Sequence, residues 1–402
     1  MKQTIIYQLK PNFEQEKHLH NLCSIATKLY NTDNYIRREE WNKTGKIPNV
    51  YTQKKLLRIN HWFKLLPSQT AQEIIFNLQR NYNSWFKLRK KDNTANPPMF
   101  RKKEMLSVIS FYQQFKITDN RIRLSMSLKY RKENEIKLIE MEFADWKQAK
   151  GIPKFCQIML KKGKWYANVV YEIPEPEVKL NNKIMALDLG IINTAVAFDT
   201  EGNNNIYSGK QILAIQHYFN KEKAKLTSTL TKQYPKRHSS KAIRILQNKQ
   251  NRQIKQALHT YSKAIITDCK NKGIKTLIVG DITDIRKDKN FGHKNNQKLH
   301  SWSFSKFIQQ LEYKAIQVGI RFARVNEAYT SQRCSTCGII RKSNRKHRGL
   351  YVCKKCGNVI NADVNGAKNI LKKYLQMFSI EHRSIGRVAL PSVMRLQNVV
   401  PC

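Results

Sequence analysis

The chain has 402 residues, long enough for two or three domains, and its 41% hydrophobic content supports packed cores and excludes a disordered polymer. Lys and Arg number 74 against 29 Asp and Glu, a formal net charge of +45 that a solvated surface does not require and that self-repulsion penalises without a polyanionic partner. No run approaches the ~20 apolar residues of a membrane span, and MKQTIIYQLKPNFEQ has neither the apolar core nor the cleavage site of a signal peptide, so the expectation is a soluble protein of the cytoplasm, nucleoid-associated if prokaryotic.

A first strand, KQTIIYQL, leads into Pro11. Asn12 can cap a helix with Gln15 as its capping-box partner, and Leu19, Leu22, Ala26 and Leu29 recur at helical spacing. Another helix follows LPSQ, with Ala71, Ile74, Leu78, Tyr82 and Trp85 on one face. NPPMFRKKE breaks the helical pattern, and strands resume at FKITDNRIRLS around an Asp119-Asn120 turn. FCQIML and WYANVVYEI flank KKGK as a second hairpin. Residues 1–180 therefore read as a small β-barrel holding a helical insert, and IPEPEVK at 173–179 as a stiff, charged connector.

Beyond it the pattern becomes α/β. KIMALDLG and NTAVAFD are adjacent strands, and a long basic helical region covers about 215–272 with Ile254, Leu258, Tyr261 and Ile265 as its apolar stripe. KTLIVGD is a buried strand, a helix spans about 301–318, and RFARVNEAY is another strand. A cysteine cluster follows, then the helix NADVNGAKNILKKYL. The α/β domain is placed at 181–378, with its cysteine insert at about 329–360 and a tail without periodicity at 379–402.

From Lys223 to Thr267 there are 11 Lys or Arg and no acid, and from Tyr329 to Asn358 eight more, again with no acid. Charge spread in this way predicts a long nucleic-acid footprint bound partly through counterion release. Lys241, Arg244, Asn248, Arg252 and Lys255 share a broad helix face and are candidates for backbone contacts. Trp62, Trp85 and Trp302 are read as core, not as base-stacking platforms.

Cys334-Ser-Thr-Cys337-Gly and Cys353-Lys-Lys-Cys356-Gly are two CxxC knuckles separated by 15 residues. Each puts two thiolates on one tight turn, so together they predict a tetrahedral S4 site for one structural Zn2+. The alternative, two disulfides or a redox pair, fits the doubled spacing less well. The ribbon loop RKSNRKHR adds phosphate-binding charge. Cys23, Cys156, Cys269 and Cys402 are scattered and read as small buried hydrophobes.

Asp188 ends a buried strand, where an RNase H-like domain holds its metals, and Asp363 starts a helix just past the ribbon. Taken singly, either Asp is ordinary; Asp363 could merely cap its helix. Two Mg2+ ions need carboxylates gathered from distant parts of the chain, which this pair could begin to supply.

ALDLGIINTAVAF, TLIVGD, YTSQRCSTCG, the second CxxC and NADVNGAKNIL, in that order and spacing, resemble the TnpB (OrfB) proteins of insertion sequences, relatives of Fanzor and of type V CRISPR effectors. The resemblance is specific over about 184–370. It implies an α/β RNase H-like (RuvC) nuclease domain interrupted by a zinc ribbon. It also implies a guide RNA from the transposon end, double-stranded target DNA with a short flanking motif, and Mg2+-dependent cutting. Older usage calls such proteins transposases. One position departs from the family: most members have Glu at the end of the TLIVGD strand, where this chain has Gly280 followed by Asp281. Glu327, 46 residues beyond Asp281, is the candidate replacement, which makes Asp188, Glu327 and Asp363 the expected ligands and Asp281 the substitute. Arg333 beside the first knuckle is either a contact to the scissile phosphate or a solvated charge. The competing reading is a nuclease-dead, RNA-guided DNA-binding regulator.

Overall fold

The computed structural model describes the chain except for residues 103, 178–181, 282–291, 293–295, 297–303, 348, 378–391 and 395–402. It forms two compact units, Met1–Pro174 and Glu175–Cys402, which meet within the IPEPEVK connector. Among the described residues no helix is long and apolar enough to cross a membrane.

In the first unit, β1 (Lys2–Lys10) runs into α1 (Phe13–Thr44). The capping box forms: Asn12 Oδ1 accepts from Gln15 N and Gln15 Oε1 accepts from Asn12 N. Next come α2 (Val50–Leu57), α3 (His61–Leu65) and α4 (Ser68–Arg89), whose Ala71, Ile74, Leu78, Tyr82 and Trp85 are all buried. Then follow β2 (Ile109–Phe111), β3 (Phe115–Thr118), β4 (Arg121–Ser125), α5 (Leu128–Glu133), β5 (Leu138–Phe143), β6 (Ile152–Lys161) and β7 (Lys164–Glu172). The strands make one sheet in the order β2-β6-β7-β1-β5-β4-β3. Both expected hairpins form on two-residue turns; Asp119, Lys162 and Gly163 take the positive φ such turns demand. Four helices thus lie between β1 and β2 in the chain, and their apolar faces share one core with the sheet, from Leu19 and Leu78 to Ile122 and Val169. The end strands β2 and β3 are not paired with each other among the described residues.

The second unit runs β8 (Ile184–Leu189), β9 (Asn193–Asp199), β10 (Asn204–Ser208), α6 (Lys210–Gln233), α7 (Lys241–Asn271), β11 (Thr276–Asp281), α8 (Phe304–Gln317) and β12 (Arg321–Asn326). The ribbon strands β13 (Arg345–His347), β14 (Leu350–Val352) and β15 (Val359–Ile360) come next, then α9 (Ala362–Met377) and β16 (Ser392–Met394). A six-stranded sheet has the order β12-β11-β8-β9-β10-β16. Strands β8, β9 and β10 are antiparallel neighbours; β11 lies parallel to β8, β12 to β11 and β16 to β10. Strand alternation gives each face its own core. Met185, Leu187, Leu277 and Val279 pack against Tyr261 and Ile265 of α7 and Phe307 and Leu311 of α8. Ala186, Val196, Ile278 and Val325 pack against Val364, Ala367, Ile370 and Leu371 of α9.

The single basic helical region expected over 215–272 is two helices. Pro235 lies in the break between them, and Ser240 caps the second by accepting from Ile243 N. Cys23, Cys156 and Cys269 are buried and unbridged, and burial pushes the Cys23 thiol up to about 12. Trp85 is buried, and Trp62 is half-buried with Lys28 Nζ 4.2 Å from its ring centroid. Trp302 and Cys402 lie outside the described residues, as does the expected tail apart from β16.

The four knuckle cysteines converge so that their Sγ atoms all lie within 4.8 Å of one another. Cys334 and Cys356 are 3.7 Å apart and Cys337 and Cys353 3.6 Å, too far for an S–S bond of ~2.05 Å. They are close to the ~3.8 Å edge of a tetrahedron with ~2.3 Å metal–sulfur bonds. Gly338 and Gly357 have φ of 76° and 68°, the left-handed backbone that closes each knuckle. The arrangement can hold a metal ion with no coordination position left open. Cys334→Ser is therefore expected to lower thermal stability and the metal content of the purified protein together; a variant that keeps its full metal content would contradict an S4 site.

Candidate active site

Asp188 is the fifth residue of β8 and shares the strand face of Ala186, so it points toward α9. Leu187 pairs with Val279, which puts Gly280 of β11 level with Asp188 on the same face. Gly280 in turn pairs with Val325 of β12, and Glu327 stands one residue beyond that strand, on the face of Val325. Its side chain folds back over Gly280. A Cβ built at position 280 would lie 1.8 Å from Glu327 Oε1 and 2.4 Å from its Cδ, so the carboxylate fills the space that any side chain at 280 would need. Asp281, one step further, takes the parity of Val279 and is exposed.

Asp363 stands in the first turn of α9. It does not cap the helix: Asn361 Oδ1 does, accepting from Asp363 N at 2.9 Å and Val364 N at 3.2 Å. The Asp363 carboxylate is thereby released toward the cleft. Asn193 Nδ2 donates to its Oδ2 and Arg345 Nη2 to its Oδ1, both at 2.8 Å. Gly366, one turn along α9, lets the helix approach the sheet, since a Cβ there would sit 2.3 Å from Asp188 Oδ2. Asp188, Asn193, Phe304, Glu327, Arg345 and Asp363 line one cleft.

The electrostatics of this cleft are those of too many acids. Burial, and then the Asp363 carboxylate, push Asp188 up to about 7 against the opposing pull of Arg345. Burial, then Asp188 and Asp281, push Glu327 up to about 8. Arg345 is the one cation within 4 Å of any of the three carboxylates among the described residues. Glu327 Oε1 is buried with no hydrogen-bond partner, an oxygen that a cation would satisfy. The donors are all hard oxygens, which suits Mg2+ or Mn2+. They stand wider apart than the thiolates: the cysteines are the one set among the described residues to meet within 4.8 Å.

Other sequence candidates lie elsewhere. Arg333 is exposed and lines a separate depression at the first knuckle with Lys372 and Lys373. Lys241, Arg244, Asn248, Arg252 and Lys255 are exposed along α7. Sequence reading missed two residues at the carboxylates. Asn193, five positions after Asp188, had a weak signal in its nearness; Arg345 was indistinguishable from the other cations of its loop.

Residues 168–286 match a family described as "Probable transposase" (OrfB, IS605), and residues 304–370 match the "Cas12f1-like, TNB domain". The chain is 25% identical over 382 residues to the Escherichia coli (strain K12) protein named "Putative RNA-guided DNA endonuclease InsQ", covering 92% of this chain and 91% of that one. It is 30% identical over 219 residues to the CRISPR-associated endodeoxyribonuclease Cas12f1 of Sulfoacidibacillus thermotolerans, covering 52% and 50%. Among solved structures, the Cas12f1 chain of a Cas12f1–sgRNA–target DNA complex shares the fold, with a TM-score of 0.64 at 15% identity, over 92% of this chain and 98% of that one.

The raised carboxyls give a pH signature. They keep their protons in the folded chain at pH values where the unfolded chain, with carboxyl pKa near ~4, has released them. Their contribution to stability is full below about pH 4 and is lost as pH rises through about 7 and 8. Without added divalent ions, Glu327→Gln should therefore gain in Tm relative to the wild type as pH rises from 5 to 8.5. Added Mg2+ should stabilise the wild type most at the alkaline end, where its ligands are ionised. A difference in Tm that does not change with pH would contradict the raised Glu327.

Proposed function

We propose that this chain, which belongs to the TnpB (OrfB) family, is an RNA-guided DNA endonuclease that cuts with the help of divalent metal ions. The observation that carries the reading is Glu327 lying over Gly280: the acid missing from the strand is replaced in space by one from the next strand. A chain that had lost cutting would have no need of a third carboxylate held half-buried and unpartnered. The order β10-β9-β8-β11-β12, with its antiparallel and parallel halves, supports the RNase H-like (RuvC) fold of the catalytic unit.

Asp188, Glu327 and Asp363 would hold two Mg2+ ions. When bound, these would activate the attacking water and stabilise the leaving oxygen of a phosphodiester. The chain's own residues do the rest: the parallel strands fix Asp188 and Glu327 side by side, Asn361 takes over capping, and Asn193 and Arg345 orient Asp363. The four thiolates would hold one structural Zn2+. Residues 1–180 would form the wedge, a small barrel with its helical insert, which binds guide RNA and target DNA; 181–378 would be the nuclease with its ribbon. Pairing with a guide RNA from the transposon end would read the sequence, while protein contacts read a short flanking motif on double-stranded DNA. The exposed cations of α7 would hold the backbone of the guide–target duplex. In a prokaryotic host the protein would work in the cytoplasm, associated with the nucleoid.

Asp188→Ala, Glu327→Ala and Asp363→Ala are each expected to abolish Mg2+-dependent cleavage of a matched target while guided binding persists. Asp281→Ala should keep substantial cleavage. Cleavage by Glu327→Ala together with its loss in Asp281→Ala would reverse the assignment. No cleavage by the wild type with its own guide and a valid target would favour the nuclease-dead regulator.

Binding should fall ~10³-fold or more between 50 and 200 mM salt if six or more phosphates are neutralised. Neutralising Lys241, Arg244 and Lys255 together should weaken all targets about equally. A flat salt profile would contradict the basic footprint.

A further inference from the structure

Arg345 comes from the ribbon, not from the sheet or helix that carries the acids. Its position is set by the thiolate module. It pairs with Tyr351 across the β13–β14 ladder. The preceding residue, Asn344, is fully buried, and its Nδ2 reaches Tyr351 Oη at 3.4 Å and Cys353 Sγ at 3.7 Å, while its Oδ1 accepts from Lys354 N. An unbroken chain of contacts thus leads from a knuckle sulfur through Asn344 to Arg345 and on to Asp363 Oδ1. The guanidinium is itself one-third exposed on a partner less exposed still, so the pair is poorly screened.

We propose that Arg345 is a ribbon-borne counter-cation that positions Asp363 and competes with the catalytic divalent ion for it, so that the ribbon sets how tightly the site takes its metal. A fixed positive charge on one oxygen of a ligating carboxylate orients that ligand, and it also repels a second cation arriving at the same group. Positioning and competition are two consequences of one contact. The competition has a use: the site fills when ion concentration, or a phosphate that draws the guanidinium away from Asp363, tips the balance. This inference rests on the metal-site reading of Asp188, Glu327 and Asp363, and it goes beyond that reading by assigning a role in metal affinity to a residue of the ribbon.

The test is Mn2+ binding to the full-length protein without guide or DNA, followed by the electron paramagnetic resonance of free Mn2+, with zinc content and Tm measured on each variant. Arg345→Met removes the charge and keeps much of the length; it should bind Mn2+ about tenfold more tightly. Arg345→Lys keeps a charge and should stay within about twofold of the wild type. A merely structural role predicts the opposite direction, since a loosened Asp363 would bind Mn2+ more weakly. Unchanged or weaker binding by Arg345→Met, in protein with its full zinc and near-native Tm, would overturn the proposal. Asp188→Asn separates the two readings. If it leaves Mn2+ binding intact, the metal site itself is misassigned and the inference falls with it. If it removes binding while Arg345→Met equals the wild type, the metal site stands and the role of Arg345 alone is wrong.

Discussion

Like charges crowded into one half-buried cleft repel one another, and the second unit is organised around bearing that repulsion. Asp188 and Glu327 are each raised by burial and then by a neighbouring carboxylate, and one guanidinium offsets part of the excess. Such a cluster survives only if rigid neighbours hold it. Asp188 and Glu327 are anchored by a sheet whose faces are both covered, and Asp363 by a helix whose apolar side packs along that sheet. The cores on the two faces are thus what make the acid cluster possible, and a cation is what makes it stable.

Much of this was legible in the sequence because it follows from period and spacing. KIMALDL, NTAVAFD and TLIVGD read as strands because both faces of the sheet are buried, so their apolar runs are nearly continuous. The apolar stripes of α1 and α4 and the knuckle spacing were equally plain. What escaped was what short or polar segments do in context. Within NNNIYSG, β10 carries two asparagines and is a strand because β9 and β16 flank it. β5 is charged at two of its six positions because Glu140 and Glu142 point outward to Arg121 and Arg123 of β4. The helices α2 and α3 are a few turns at most, each started by an asparagine cap whose signal is common in loops.

The site divides along the same line. Strand alternation alone argues against Asp281 as the replacement acid, because one step along β11 turns a side chain from the α9 face to the α7–α8 face. The place of Glu327 over Gly280 depends instead on the neighbour relation of β11 and β12, which is a matter of sheet order. Arg345 was beyond sequence altogether. Nothing local distinguishes it from Arg341, Lys342 or Lys346; only the fold of the ribbon carries it to Asp363.

The placement of the ribbon follows from the same geometry. The chain leaves the cleft at Glu327 and must return to it at Asp363, 36 positions later, so whatever lies between has to begin and end at nearly one place. A hairpin-based module stapled by four thiolates meets that demand, because its fold does not depend on burying a large core of its own. Its entering end is also tied to the returning helix. Asn365 accepts from Ser335 N and donates to Arg333 O, and Asn369 donates to Thr330 O and Arg333 O, all from buried positions on α9. Those asparagines satisfy the backbone of the first knuckle from the helix that carries Asp363, so the knuckle and the carboxylate move as one body. A ribbon attached by a flexible loop could not deliver an arginine to within hydrogen-bonding distance of that acid; one clamped to the helix can.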